Sequence, residues 1–290
     1  MVLASLIFAT MGVCVKIASD YFNSAELVFY RGVVGVVFMG VFARAQGTSL
    51  RTAVPMMHAW RAAVGVLSLG AWFYAIAHLP LATAMTLNYM SSVWIAAFLV
   101  GGALLINRGP QSGSQGPLVA TVLAGFIGVV LMLRPTIAQN QAFAGLVGLM
   151  SGIGAAFAYM QVMALARTGE PDVRTVFYFA VGTVVAGGIA MALVGLSPWN
   201  WQHALWLLPV GVLASLGQLC MTRAYSRGST LVVASLQYSG IIFAALYSVL
   251  LFGDAISAMG WLGMALIVAS GIGATVLRSR AAPDSPAEDH

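Results

Sequence analysis

Long apolar runs, separated by short polar or turn-prone stretches, fill almost the whole sequence. A helix needs roughly 20 mostly apolar residues to cross the hydrocarbon core of a membrane. By that measure the chain predicts ten transmembrane helices, over residues 2–19, 25–44, 59–78, 81–101, 117–134, 143–166, 173–194, 203–222, 229–251 and 257–277. The first run continues directly into further spans, so we interpret it as a helix and not as a cleaved signal peptide. The pattern predicts an all-α integral membrane protein.

Composition supports the same class. Of the 290 residues, 60% are hydrophobic and only 7% are charged, whereas a soluble domain carries about 25% charged residues. The excess apolar surface must therefore face the lipid bilayer. The 13 basic residues lie singly between apolar runs and form no patch for nucleic acid. Cys14 and Cys220 sit inside apolar segments without metal-ligand spacing, so we expect no metal and no cofactor.

The basic residues predict the orientation. With the N-terminus in the cytoplasm, ten of them, Arg61 among these, flank the cytoplasmic side. Only Lys16, Arg31 and Arg134 then fall on the outer side. Cytoplasmic loops of membrane proteins carry the excess of Lys and Arg. We expect a multi-pass protein of a bacterial inner membrane with both termini in the cytoplasm.

The two halves of the chain resemble each other at a nearly constant offset. Three short matches occur in the same order: Val28-Phe29-Tyr30 with Val176-Phe177-Tyr178, Leu87-Asn88-Tyr89 with Leu236-Gln237-Tyr238, and Ile127-Gly128 with Ile272-Gly273. Each half has five predicted spans, an odd number, so the halves must insert in opposite orientations. Such inverted-topology repeats are typical of secondary transporters. We predict repeats over 1–136 and 142–278, followed by a disordered cytoplasmic tail, 279–290.

Several motifs resemble a known family. They are Lys16 late in the first span, Glu26 and Arg31 opening the second, the turn from His78 to Ala84, and Asp254 closing the ninth. Together they are similar to the drug/metabolite transporter superfamily in its EamA form, over residues 1–278. The first half departs from the family's acidic ending, because Leu105-Ile106-Asn107-Arg108 contains no acidic residue.

Within that superfamily the chain looks most like the YddG-type bacterial exporters of aromatic amino acids. The resemblance implies a secondary transporter with a broad substrate range, and we expect it to function as a monomer. It implies export of small organic solutes, above all amino acids with aromatic or other hydrophobic side chains, by alternating access around a central cavity. Nucleosides or other drug-like metabolites are the alternative substrates.

Two amides are the first candidates for substrate binding. Asn88 and Gln237 lie at equal depth in the fourth and ninth predicted spans, about 10 Å from opposite membrane faces. The repeat makes them pseudo-symmetric, and an amide both donates and accepts hydrogen bonds. The alternative is a purely structural bond between helices.

Aromatic residues supply the second set of candidates. Their flat faces suit an indole, phenol or phenyl group, and the set comprises Trp72, Tyr89, Trp94, Tyr159 and Tyr238. Gln218 in the eighth span lies where it would line the same path. The alternative is that these rings only pack or face lipid.

Charged residues in the outer half form the third set. We interpret Lys16, Glu26 and Arg31 as a structural charge cluster at the outer rim. The alternative is attraction of a substrate carboxylate.

Other functions are less consistent with the chain. It contains no HExxH, no GxSxG and no paired aspartates within a span, so we expect no enzyme. No span carries an acidic residue near its centre, which favours uniport or exchange over proton coupling through a carboxylate. Sugar phosphates would require several converging arginines, and the sequence does not indicate them.

Overall fold

A computed structural model describes residues 1–95, 98, 120–121, 123–125, 127–131, 141–228, 233 and 236–281 of the chain. Parts of the predicted spans 81–101, 117–134 and 229–251 lie outside the described residues, as does the tail from residue 282. The prediction for Arg134 also falls there.

Secondary structure in the described part is helical throughout. The helices are α1 (Val2–Ala18), α2 (Ser24–Ala45), α3 (Pro55–His78), α4 (Leu81–Tyr89), α5 (Ala142–Arg167), α6 (Asp172–Val194), the short α7 (Trp201–Ala204), α8 (Leu207–Arg227), α9 (Ser239–Phe252) and α10 (Ala258–Ala281). Helical residues also occur between 120 and 131.

Local sequence explains where several helices begin and end. At the start of α2, the Asn23 side chain accepts hydrogen bonds from the Ala25 and Glu26 amides, and the Glu26 carboxylate accepts one from the Asn23 amide. This reciprocal capping box satisfies backbone donors that a helix start leaves free. Pro55 opens α3, where its missing N–H removes no helical bond. Gly253 closes α9 in the left-handed conformation, at φ 64°.

Five of the described helices are long and apolar enough to cross a bilayer: α2, α3, α5, α6 and the segment Trp201–Arg227. Shorter apolar helices run over Val2–Ala18, Ser239–Phe252 and Ala258–Gly273. The helical class predicted from the apolar runs is therefore confirmed. Residues 279–281, predicted to start a disordered tail, instead continue α10 as helix.

Glycines bring helices from the two halves into close contact. Between α2 and α6, a Cβ at Gly32 would lie 2.6 Å from Thr183 Oγ1, and one at Gly187 would lie 2.8 Å from the Phe29 backbone. Between α3 and α5, a Cβ at Gly154 would lie 2.7 Å from Ser68 Cβ. Small residues permit such approach in membrane helices, where packing rather than water drives association. Each of these interfaces joins the first half of the chain to the second.

Candidate functional site

A small cavity of about 50 Å³ lies between the two halves of the chain. Its walls come from α1, α3 and α4 of the first half and from α5, α6 and α8 of the second. The lining residues are Phe8, Arg61, Gly65, Ser68, Leu69, Trp72, Asn88, Tyr89, Ala155, Ala158, Tyr159, Phe179 and Gln218. Aromatic rings make up most of the apolar lining, and amides and one guanidinium supply polar groups.

Helix α3 contributes one continuous face to the cavity. Arg61, Gly65, Ser68, Leu69 and Trp72 follow the spacing of three and four residues that places side chains on one side of a helix. Arg61 and Trp72 mark the ends of this face, about 16 Å apart along the helix axis. The face thus runs from a cationic end to an aromatic end.

Five of the eight residues proposed from the sequence for substrate binding line this cavity. They are Trp72, Asn88, Tyr89, Tyr159 and Gln218. The structure brings them together from four different helices, as a shared pocket requires. Trp72 is held edge-on by Phe8, with ring centres 6.3 Å apart.

The other three residues lie elsewhere. Trp94 stacks against Phe98, with ring centres 6.1 Å apart. Tyr238 is buried against Gly271 of α10, where any side chain would overlap its ring. Gln237 is fully buried beside the cavity and does not line it.

Gln237 is the centre of a hydrogen-bond network next to the cavity. Its Oε1 accepts from Tyr225 Oη at 2.8 Å. Its Nε2 donates to Tyr159 Oη at 3.2 Å and to Ser91 Oγ at 3.4 Å. Tyr159 also stacks on Tyr225, with ring centres 5.4 Å apart. The amide therefore fixes Tyr159, which does face the cavity.

Asn88 and Tyr89 pack against helices of the second half. Asn88 Nδ2 donates to Ser151 Oγ of α5 at 3.1 Å, and the Tyr89 ring packs on Gly240 of α9. Helical backbone hydrogen bonds continue past both residues, from the Met90 amide to the Thr86 carbonyl at 3.1 Å and from the Trp94 amide to the Met90 carbonyl at 3.0 Å. Asn88 and Tyr89 are thus fixed at the boundary between the two halves.

The three residues predicted as one outer charge cluster have separate partners. Lys16 Nζ donates to the carbonyls of Ile76 and Leu79. The Glu26 carboxylate accepts from the backbone and hydroxyl of Ser197. Arg31 turns inward, and its guanidinium carbon lies 5.3 Å from the ring centre of Phe179. The structure thus does not bring Lys16, Glu26 and Arg31 together.

Arg61 is the site residue that sequence reasoning missed. Its guanidinium carbon lies 4.2 Å from the ring centre of the same Phe179, and its side chain is buried. The predicted span began at residue 59, which placed Arg61 at the membrane surface. The actual start of α3 at Pro55 places it about 9 Å along the helix. Pro55, a strong first-turn residue, was the available signal.

A second polar cluster lies at one end of the bundle, around Glu170 in the connection between α5 and α6. Thr52 Oγ1 donates to Glu170 Oε1 at 2.9 Å, and Arg174 Nη1 donates to Oε2 at 3.0 Å. His58 Nε2 contacts the same Oε2 at 3.2 Å. Burial, the largest single influence, raises the pKa of Glu170. The hydrogen bonds from Thr52, His58 and Arg174 and the charge of Arg174 outweigh it and lower the pKa below its ordinary value.

This lowered pKa predicts how stability depends on pH. A carboxyl whose pKa is depressed on folding stabilises the protein above its unfolded pKa, about 4.3, and loses that contribution as the pH falls through the folded value. We expect Glu170→Gln to be less stable than the wild type by about 1–3 kcal/mol at neutral pH, with the difference shrinking below about pH 4. Thermal unfolding in detergent across pH measures it. Asp20→Asn, at an exposed carboxylate, is the control, and a pH-independent difference for Glu170→Gln would contradict the assignment.

Comparison with known proteins identifies the family. The model of the EamA-like transporter family matches residues 1–134 and again residues 142–276. The chain belongs to this family. The resemblance noted from the sequence motifs is thereby confirmed.

EamA-like relatives carry transport names. The pseudopaline exporter CntI of Pseudomonas aeruginosa strain UCBPP-PA14 is 35% identical over 274 residues, covering 92% of this chain and 91% of the relative. A riboflavin transporter of Rhizobium johnstonii is 27% identical, covering 94% and 88%. An uncharacterized transporter of Helicobacter pylori strain 26695 is also 27% identical, covering 93% and 91%.

A solved crystal structure has the same fold, with a TM-score of 0.67, 21% sequence identity and 96% of both chains covered. At that identity the likeness shows the fold alone. Family membership and the apolar helices together establish an EamA-like multi-pass membrane protein that transports small molecules. The relatives do not single out aromatic amino acids as substrates.

Proposed function

We propose that this EamA-like protein exports small organic solutes, with amino acids that carry aromatic or other hydrophobic side chains as the leading substrates. The observation that supports it is the cavity between the halves, lined by aromatic rings from α1, α3, α4, α5 and α6. Such rings offer flat apolar contact for an aromatic side chain. Asn88 and Gln218 add polar groups that can orient a zwitterion.

The proposed topology has ten spans in two inverted five-helix repeats, over 1–136 and 142–278. Both termini lie in the cytoplasm of a bacterial cell, and the protein sits in the inner membrane as a monomer. The two matches of the family model, over 1–134 and 142–276, support the division into two repeats. Alternating access then exposes the cavity first to the cytoplasm and then to the outside.

Transport in this proposal does not use a carboxylate as a proton relay. The acidic residues within the described helices and connections lie at helix ends or in loops, including Glu26, Glu170 and Asp254. Uniport or exchange down a gradient is therefore proposed. Strict dependence of flux on an imposed pH gradient would contradict this part.

Substitution of Asn88 tests the site. We expect Asn88→Ala to reduce counterflow of phenylalanine in liposomes about tenfold, because one polar contact with bound substrate contributes about 1.4 kcal/mol. The fold should persist, since the cavity beside Asn88 admits water. Gln202→Ala, at an exposed amide, is the matched control and should leave flux unchanged.

A panel of candidate substrates distinguishes export of amino acids from export of nucleosides or other metabolites. Purified protein in liposomes is tested for counterflow with aromatic amino acids, aliphatic amino acids, nucleosides and riboflavin. Saturable phenylalanine flux that tryptophan inhibits supports the proposal. Flux of nucleosides or riboflavin that no amino acid inhibits would replace it with export of other metabolites, a reading that the riboflavin-transporting relatives and the flat aromatic lining favour.

A further inference from the structure

Two buried guanidinium groups lie beside Phe179, and one of them, that of Arg61, lines an end of the cavity. Arg61 is 3% exposed and Arg31 is 5% exposed. Neither forms a salt bridge with any residue of the described segments. The acidic residues of the described segments interact with other groups. Asp20 is exposed, the Glu26 carboxylate accepts a hydrogen bond from Ser197, and the Asp254 carboxylate accepts one from Ser248. Near the connection between α5 and α6, Glu170 bonds Thr52 and Arg174, and Asp172 lies near Arg223 and Arg227.

Phe179 stabilises these charges but does not neutralise them. The guanidinium carbons lie 4.2 Å and 5.3 Å from its ring centre. An aromatic face attracts a cation through its quadrupole and leaves the net charge unchanged. Both groups reach one ring, so the two positive charges are close enough to repel each other in a medium of low dielectric. A buried unpaired charge is unfavourable, so the pair is complementary to an anion.

The side chain of Arg61 faces the cavity. Its Nε and Nη1 are buried and have no hydrogen-bond partner among the described residues, and neither has Nε of Arg31. Gly65, one turn further along α3, leaves the space that the guanidinium occupies, since a Cβ there would overlap Nη1 of Arg61. The Nε and Nη1 donors of Arg61 are therefore held in the cavity wall without an acceptor among the described residues.

We propose that Arg61, assisted by Arg31, forms an oxyanion subsite that selects substrates with net negative charge. This inference rests on the proposed transport function and moves its leading substrates from zwitterionic amino acids to small organic solutes that carry an additional acidic group. The guanidinium fork matches the two oxygens of a carboxylate or of a phosphate. The acidic group binds at the Arg61 end of the α3 face, and the apolar part of the solute extends towards Trp72.

Four probes that share a phenyl ring test the charge preference. Binding to the purified wild type in detergent is measured by calorimetry, and counterflow is measured in liposomes. The probes are phenylsuccinate, phenylalanine, phenylalanine methyl ester and phenyl phosphate. We expect the two dianions to bind best and the cationic ester worst, by about tenfold or more. The order of phenylsuccinate and phenyl phosphate tells whether the natural group is a carboxylate or a phosphate.

Variants of Arg61 test the assignment to that residue. We expect Arg61→Gln to weaken phenylsuccinate binding about tenfold or more and to leave the ester within about twofold. Arg61→Lys keeps the positive charge but loses the two parallel N–H donors of the guanidinium. Its affinity for phenylsuccinate should therefore lie between those of the wild type and Arg61→Gln. Arg44→Gln removes the same charge at an exposed position and serves as the matched control.

The outcomes separate this inference from the proposed function. Saturable transport with the ester bound as tightly as phenylsuccinate overturns the subsite and leaves the transporter intact. An equal loss for all four probes in Arg61→Gln also overturns it, because a general defect has no charge preference. Absence of saturable flux for every solute overturns the proposed function itself. If Arg61→Gln fails to fold, the rank order of the wild type decides.

Discussion

Replacing Gly187 with alanine is expected to lower the free energy of unfolding by about 1–3 kcal/mol. The new methyl group would lie 2.8 Å from the backbone nitrogen and Cα of Phe29 in α2. Backbone atoms of a packed helix cannot rotate away as a side chain can. Relief requires α2 and α6 to separate, which loses contacts along their whole interface. Thermal unfolding in a mild detergent measures the loss.

The neighbouring glycine provides the control. A methyl group at Gly188 would lie 3.6 Å from Cε2 of the Phe29 ring, an ordinary contact distance. Gly188→Ala therefore gains helix propensity, up to about 1 kcal/mol, without a clash. Equal behaviour of the two alanine variants would show that α2 and α6 do not approach as described.

Replacing Gln237 with leucine is expected to destabilise the protein by about 2–4 kcal/mol and to abolish most transport. Leucine keeps the size of the side chain but removes the partner of Tyr225 Oη and of Tyr159 Oη. These hydroxyls are left without their partner in a membrane interior, where water cannot readily replace it. Transport falls as well, because Tyr159 loses the contact that orients it in the cavity. Unfolding and phenylalanine counterflow are measured on the same preparation.

Gln161 is the matched control for this substitution. It lies in α5 and is half-buried, and its Oε1 has no hydrogen-bond partner in the part of the chain that the structure describes. Gln161→Leu should therefore change stability by less than about 1 kcal/mol. A similar loss in both variants would indicate that burial of the amide, and not its network, determines the effect.

The apolar pattern predicts most of the helices because a lipid bilayer permits few other backbone conformations. The predicted span 143–166 corresponds to α5, Ala142–Arg167, and 173–194 to α6, Asp172–Val194. Backbone groups in lipid must bond internally, so an apolar run of this length has to form a helix. The start of α3 was less accurate, because the predicted span begins at residue 59 whereas the helix begins at Pro55, before the apolar pair Met56 and Met57.

The direction in which a side chain points was the harder question. The depth of a residue in the membrane follows from the number of residues between it and the end of its helix. By depth alone, Asn88 and Gln237 are equally good candidates for substrate binding. Only tertiary packing decides that Asn88 lines the cavity while Tyr225, Tyr159 and Ser91 occupy the amide of Gln237. The sequence counts Arg61 among the cytoplasmic charges that set the membrane orientation. Such counting uses the position of a residue along the chain and not the face of the helix on which it lies.

The glycine contacts between the halves have a consequence for the transport cycle. Gly32 and Gly187 hold α2 against α6, and Gly154 holds α3 against α5. A change of access that preserves these contacts must carry α2 with α6 and α3 with α5. Each moving body would then contain one helix from each half of the chain, so the rigid groups would cut across the boundary between the two family matches.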